Sequence, residues 1–307
     1  MSGISRRRFL DLSVKLAIGM SLGSSAVPKI AEALEQLASG NAPVLWLQGL
    51  SCSGCSISFL NSDAPGPAQI LTQQISLLFH PTLSTATGGT AMEVVHRSID
   101  HGGYYLVFEG SIPLRMPQAC RMGDESILDL ASRAARNAKA VITAGTCASF
   151  GGIPAAENNP TGAVSVAHFL QDQKVSTPII SLPGCPIHPD WIVGTLAHML
   201  QFGMPPLDDK GRPKMFYSRL LHDQCPRFAD YERERFVRTF SDEGCFFKLG
   251  CSGPTTYADC SLRHWNGGTG FCIKAGSPCI GCASEDFASV GSFPFFTKKS
   301  HSEMKKG

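Results

Sequence analysis

The sequence predicts an α/β fold: a doubly wound parallel sheet followed by a smaller, mostly irregular and helical region. Three observations carry this. From about Asn41 to Phe202, short apolar runs alternate with amphipathic ones, the rhythm of parallel strands joined by helical crossovers. Several of those runs end in small, turn-forming residues, which punctuate strand ends. From Met204 onward the chain turns rich in Pro, Gly and Cys, with few long periodic segments.

In chain order, Val44 to Leu47 reads as a buried strand. It is followed by the turn Gly49-Leu50-Ser51-Cys52-Ser53-Gly54-Cys55 and a helix opening over Ile57 to Leu60. Tyr104 to Phe108 is a second strand, running into Glu109-Gly110, and Ile127 to Ala138 a helix. Ala140 to Ala144 is a strand ending in Gly145-Thr146-Cys147. Ile179 to Leu182 is another, ending in Pro183-Gly184-Cys185-Pro186, and Trp191 to Phe202 is a helix. Three strand ends thereby deliver Cys52 with Cys55, Cys147 and Cys185 to the carboxyl edge of the sheet, where open α/β folds bind their ligands. The expected division is 41–203 for the sheet and 204–307 for the second region.

The second region lacks layers of its own, and such chain is usually held by cross-links or metal. Two ligand sets are readable from spacing: His222 and Cys225 with Cys245 and Cys251, and Cys260 and Cys272 with Cys279 and Cys282. A Cys-x2-Cys pair puts two sulfurs on one metal face, and the intervening Gly54 and Gly281 let backbone N–H groups approach. Disulfides and zinc compete with iron–sulfur clusters for these residues, because twelve cysteines is an even number in a chain with an export signal. Two features favour clusters. The chain is large enough to need no staples, and its first four thiols converge on one sheet edge.

The export signal is Ser5-Arg6-Arg7-Arg8-Phe9-Leu10, a twin-arginine motif ahead of an apolar stretch from Leu12 to Val27. That stretch contains Lys15 and is too weak for a spanning helix. Ala31-Glu32-Ala33 has the form of a cleavage site, so residues 1–33 read as a signal peptide and the location as periplasmic. The signal holds five of the 27 Lys/Arg and two of the 25 Asp/Glu, which leaves 22 basic against 23 acidic residues in the remaining 274. No basic surplus is left for nucleic acid. There is no P-loop, no G-x-G-x-x-G after a strand, and no internal repeat.

Ser51-Cys52-Ser53-Gly54-Cys55, Glu109-Gly110-Ser111-Ile112-Pro113, the run from Gly145 to Pro154 (GTCASFGGIP) and that from Pro183 to Trp191 (PGCPIHPDW) resemble the small subunit of nickel–iron hydrogenases. So do Gly250-Cys251-Ser252-Gly253-Pro254 and Pro278-Cys279-Ile280-Gly281-Cys282. The resemblance covers nearly all of the chain after the signal, in order. It implies a flavodoxin-like first domain, an iron–sulfur second domain, and a large-subunit partner holding the nickel–iron centre where H2 is split or made. The chain itself would pass electrons to an external acceptor such as a periplasmic cytochrome c, and a membrane-bound redox partner is compatible with this role.

Carried over position by position, the resemblance implies a proximal [4Fe-4S] cluster on Cys52, Cys55, Cys147 and Cys185. It implies a distal [4Fe-4S] cluster on His222, Cys225, Cys245 and Cys251, where neutral imidazole in place of thiolate tends to raise the potential. Many relatives have proline at the position of Cys272 and hold a three-iron middle cluster. Here Cys272 completes a four-thiol set with Cys260, Cys279 and Cys282, which implies a third [4Fe-4S] cluster. The nickel–iron–selenium branch shares this feature, and Ser76-Leu77-Leu78-Phe79-His80-Pro81 also resembles that branch; any selenium would belong to the large subunit. Gly54 and Gly152 stand where oxygen-tolerant relatives carry two further cysteines. Glu109 has two readings, a role in proton movement beside the proximal cluster or a carboxylate that bonds backbone N–H groups. Cys120 is left over as a free thiol, Trp46, Trp191 and Trp265 read as core, and the remaining histidines read as structural or solvated.

Overall fold

The computed structural model describes residues 42–62, 66–70, 75–156 and 158–288, together with Val14 and Val27. Residues of the twin-arginine motif and the cleavage site lie outside the described residues. Five parallel strands form the central sheet: β1 (Pro43–Gln48), β2 (Ser76–Phe79), β3 (Tyr105–Glu109), β4 (Ala140–Ala144) and β5 (Ile179–Leu182). Their spatial order is β2-β1-β3-β4-β5. This is the flavodoxin-like order, with its switch point between β1 and β3. Loops after these two strands leave in opposite directions and open a crevice at the carboxyl edge.

Apolar runs make the three central strands because they are covered on both faces. Val44, Trp46, Val107, Ile142 and Ile180 face one buried cluster with Phe59, Trp191 and Leu196. Leu45, Leu47, Leu106, Phe108 and Val141 face another with Val95, Leu130, Ala134 and Phe169. The alternation along each strand sorts its side chains between the two layers of helices. The covering helices include α1 (Gly54–Leu60), α2 (Gly88–His101), α3 (Ile127–Asn137), α4 (Thr146–Phe150), α5 (Val166–Asp172) and α6 (Pro189–Phe202). The Ser126 side chain accepts from Leu128 N at 3.2 Å and starts α3. Pro189 fits the first turn of α6, where no intrahelical donor is lost.

Strands β4 and β5 run over the residues the sequence predicts. Helix α1 begins three residues earlier than expected, so Cys55 lies inside its first turn. Strand β2 and helix α2 were not expected. Helix α2 buries only Ala91, Val95 and Ile99 and opens with two glycines, so its apolar stripe is thin.

Beyond α6 the described chain has no sheet, only short helices, 3-10 turns and isolated bridges. Phe216, Tyr217, Ala258 and Ala283 pack into the first cluster beneath the sheet. Leu221, Val237, Phe246, Leu249, Phe271 and Ile273 form a separate small core together with Cys251 and Cys279. No helix among the described residues is long and apolar enough to cross a membrane.

Candidate functional site

The three expected ligand sets come together in space, and all twelve cysteines are free thiols. At the carboxyl edge, Cys52 sits exposed in the loop after β1 and Cys55 is buried at the start of α1. Cys147 lies in the first turn of α4, and Cys185 follows β5. Burial pushes the Cys147 thiol up to about 12, and the charges of Cys185, Cys52 and Glu109 add to the rise. Burial also raises Cys55 well above the usual thiol range, with Glu109, Cys147 and Cys185 adding to it. Cys185 is raised by burial and then by Cys52.

Gly145, at φ +89°, has no room for a side chain: a Cβ there would stand 2.4 Å from Cys55 Sγ. Gly152, at φ +53°, would place a Cβ 2.9 Å from Cys147 Sγ and 2.8 Å from its Cα. A cysteine at position 152 would therefore require the backbone to move.

Glu109 ends β3 and is 2 % exposed. Oε1 accepts from Cys55 N at 3.1 Å and from Ser51 Oγ at 2.9 Å. Oε2 accepts from Gln48 Nε2 at 2.9 Å, from Trp46 Nε1 at 3.3 Å and from the Ser56 hydroxyl. The carboxylate thus ties the cysteine loop to the sheet through a backbone N–H, as one of its two readings holds. His80 Nδ1 accepts from Thr82 N at 3.0 Å, which leaves Nε2–H to meet Ser56 Oγ at 3.1 Å. Burial lowers the His80 pKa to about 4 against the pull of Glu109. The sequence treats His80 as structural or solvated; it is structural, 1 % exposed and part of this network.

In the second set Cys282, Cys279 and Cys272 act on Cys260, Cys282 and Cys272 on Cys279, and Cys272 on Cys282, each raising the thiol pKa. Burial comes first for Cys260, followed by the charges of Cys282, Asp259, Cys279 and Cys272. Burial likewise holds Cys282 at about 12, with Cys272 and Cys185 adding to it. Gly281 N donates to Cys279 Sγ at 3.4 Å, the approach expected of a glycine between paired cysteines.

In the third set His222, Cys225, Cys245 and Cys251 line a single pocket with Leu221, Arg227, Phe246, Phe247, Gly253, Pro254 and Ile273. Arg227 N donates to Cys225 Sγ at 3.4 Å. Burial raises Cys245 to about 11, opposed by a hydrogen bond from the Phe247 backbone and assisted by Cys251 and Cys225. Burial lowers the His222 pKa and so favours the neutral imidazole that a metal requires. Tyr231 meets its ring edge-on at 4.4 Å between centroids, and Phe228 does so at 5.1 Å.

The sets adjoin. Cys185 of the first acts on Cys282 of the second, and Cys251 of the third acts on Cys279 and Cys272 of the second. Yet no three His, Cys, Asp or Glu side chains among the described residues are placed to hold one metal ion. Crowded buried thiols ionise only against a compensating positive charge, which iron supplies. The donor set therefore fits iron–sulfur clusters.

Cys120 lies outside all three sets, half-buried with Sγ 4.0 Å from Gln48 O. Trp46 and Trp191 are buried, and Trp265 packs on the His188 ring at 4.6 Å. Sequence reasoning missed Thr146 and His188 as residues of the site. Both stand within three positions of a ligand cysteine, and that nearness was the available signal.

Residues 52–199 match the family described as the 20 kDa subunit of NADH ubiquinone oxidoreductase, and residues 217–295 match the C-terminal family of NiFe/NiFeSe hydrogenase small subunits. The chain is 38 % identical to the periplasmic [NiFeSe] hydrogenase small subunit of Desulfomicrobium baculatum, over 95 % of this chain and 98 % of that one. It is 41 % identical to the uptake hydrogenase small subunit of Afipia carboxidovorans, over 95 % and 80 %. Among solved structures, the [NiFeSe] hydrogenase of Dm. baculatum superposes with a TM-score of 0.80 at 39 % identity, covering 84 % of this chain and 99 % of that one. The [NiFeSe] hydrogenase of Desulfovibrio vulgaris Hildenborough does so at 0.79 and 41 % identity, covering 83 % and 97 %.

Proposed function

Because the chain belongs to the small subunits of nickel–iron and nickel–iron–selenium hydrogenases, we propose that its twelve converging ligands hold three [4Fe-4S] clusters. These form one electron path between the large subunit and an external acceptor. The catalytic H2 site belongs to the large subunit of the heterodimer; this chain is its electron-transfer partner. The observation that carries the proposal is the adjacency of the three sets, first to second through Cys185 and Cys282, second to third through Cys279, Cys272 and Cys251. Bound clusters would supply one-electron carriers whose potentials depend on ligand charge, hydrogen bonds and exposure.

The residues divide the work. Cys52, Cys55, Cys147 and Cys185 hold the proximal group, with Glu109 fixing the Cys55 loop and taking part in proton movement beside it. Exposed Ile57 and Ile153 flank this set, which supports a large-subunit face there. Cys260, Cys272, Cys279 and Cys282 hold the middle group. His222, Cys225, Cys245 and Cys251 hold the distal one. Neutral imidazole adds no negative charge there, and exposed Phe228 beside it supports an exit toward a carrier such as a cytochrome c or a membrane-bound redox protein. Arg6-Arg7 with Phe9-Leu10 supports twin-arginine export to the periplasm; replacing both arginines by lysine should strand the complex in the cytoplasm.

The test separates chemistry from exit. With its large subunit the His222→Gly protein should keep hydrogen–deuterium exchange and lose H2-dependent reduction of the carrier. The chain alone, iron-replete, should not reduce viologen under H2. Viologen reduction by the isolated chain, or exchange falling in step with carrier reduction, would contradict the division.

A further inference from the structure

The loop from Pro183 to Asp190 follows β5, carries Cys185, and is bound to the second region at many points. Tyr217 donates its hydroxyl to Pro183 O at 2.9 Å. The His188 ring meets His264 O at 2.7 Å through Nε2. Trp191 Nε1 donates to Asp259 Oδ1 at 2.8 Å, and Arg263 pairs with Asp190 at 3.4 Å. These contacts fix the loop to residues near the second ligand set, but none of them reaches a ligand of both sets.

Thr146 does. It is 1 % exposed and immediately precedes Cys147. Its backbone N–H donates to Gly184 O at 3.0 Å, and Gly184 N donates to Thr146 Oγ1 at 2.8 Å. The Thr146 hydroxyl in turn donates to the carbonyl oxygen of Cys282. One side chain therefore joins three loops, those bearing Cys147, Cys185 and Cys282.

We propose that Thr146 is a positioning residue that clamps the first ligand set against the second. It holds the loops of Cys147 and Cys185 on the backbone of Cys282, and so sets the spacing and coupling of the first and second groups. This rests on the cluster reading above. The potential of such a group depends on the hydrogen bonds and exposure around its ligands, so freeing the Cys282 loop should move it. Replacing the hydroxyl by a methyl of equal size leaves Cys282 O and Gly184 N–H without their buried partner, which favours separation of the two loops.

The test uses the anaerobically purified heterodimer with Thr146→Val and Thr146→Ser, followed by iron analysis and redox titration monitored by EPR. Thr146→Val is expected to weaken the magnetic interaction between first and second groups and to move the second group's midpoint potential from its wild-type value. The third group should stay at its wild-type potential, and Thr146→Ser should restore all three. Should Thr146→Val shed iron, the inference requires loss from the first and second sets with the third set's signal kept, again restored by serine. Unchanged potentials in an iron-replete Thr146→Val protein, uniform loss from all three sets, or no restoration by serine would overturn it. Wild-type protein without iron would overturn the cluster reading and this inference with it.

Discussion

The two halves of the molecule use cysteine in different ways. In the sheet half Val107, Ile142, Phe108 and Phe169 close two cores, and the first ligand set stands at the carboxyl edge with only Cys55 reaching into a core. In the second half the thiols are part of the core, with Cys251 and Cys279 packed among Leu221, Phe246, Phe271 and Ile273. A domain with strands and helices on two layers can fold before it meets iron. A short, layerless region with so few apolar residues has little else to replace the conformational entropy it loses. Metal binding and folding should therefore be one event in the second half and separable events in the first.

Removing the iron gives the largest expected effect. Chelation under denaturant, followed by return to buffer without iron, should leave residues 42–203 resistant to protease and open the chain beyond about residue 218. Cleavage fragments identified by mass would show it. Equal resistance of both halves would break the contrast.

Phe169→Ala attacks the other half. Its ring is buried between β-sheet and helix in the second cluster, so truncation should cost about 3–5 kcal/mol of that domain's stability. The second and third iron sets should be retained at moderate temperature. Denaturant melts followed by near-UV circular dichroism and iron content would separate the two responses.

Acid should also act on the sheet half. His80 takes up a proton at about 4 when folded and near 6.5 when unfolded. Its folded pKa is depressed, so the stability it contributes is complete above about 6.5 and is lost as pH falls toward 4, on the order of 3 kcal/mol in all. His80→Gln should flatten the fall in melting temperature between pH 6.5 and pH 4.5. A parallel fall in both proteins would show that another group governs it.

Cys120→Ala should do least. The thiol is half-buried and bonds only weakly to Gln48 O, so stability should change by about 1 kcal/mol or less. Iron content should be that of the wild type. Loss of iron would mean that a ligand set has been misassigned.

The contrast also explains what was legible in advance. Ala140–Ala144 and Ile179–Leu182 were read residue for residue, because each is a mostly apolar run ended by turn-forming residues. Ser76–Phe79 was not read as a strand, since three of its four residues are only partly covered, whereas Ile179–Leu182, equally short and at the other edge, is buried over its last three. The cysteines of the second half were readable because ligand spacing is local. Ser56, His80, His188 and Thr146 were not, because a hydroxyl or an imidazole acquires its role from partners 24 to 136 residues away.

The most direct measurement is an iron and acid-labile sulfide analysis of the anaerobically purified heterodimer, with EPR of its oxidised state, on wild type and Cys272→Pro. With Cys272 a ligand beside Cys260, Cys279 and Cys282, the wild-type small subunit should hold about twelve irons and show no strong three-iron signal. Cys272→Pro should lower the count by about one and create that signal. A full-strength three-iron signal in undamaged wild-type protein would contradict the four-thiol middle set, and a protein with zinc or disulfides in place of iron would contradict all three.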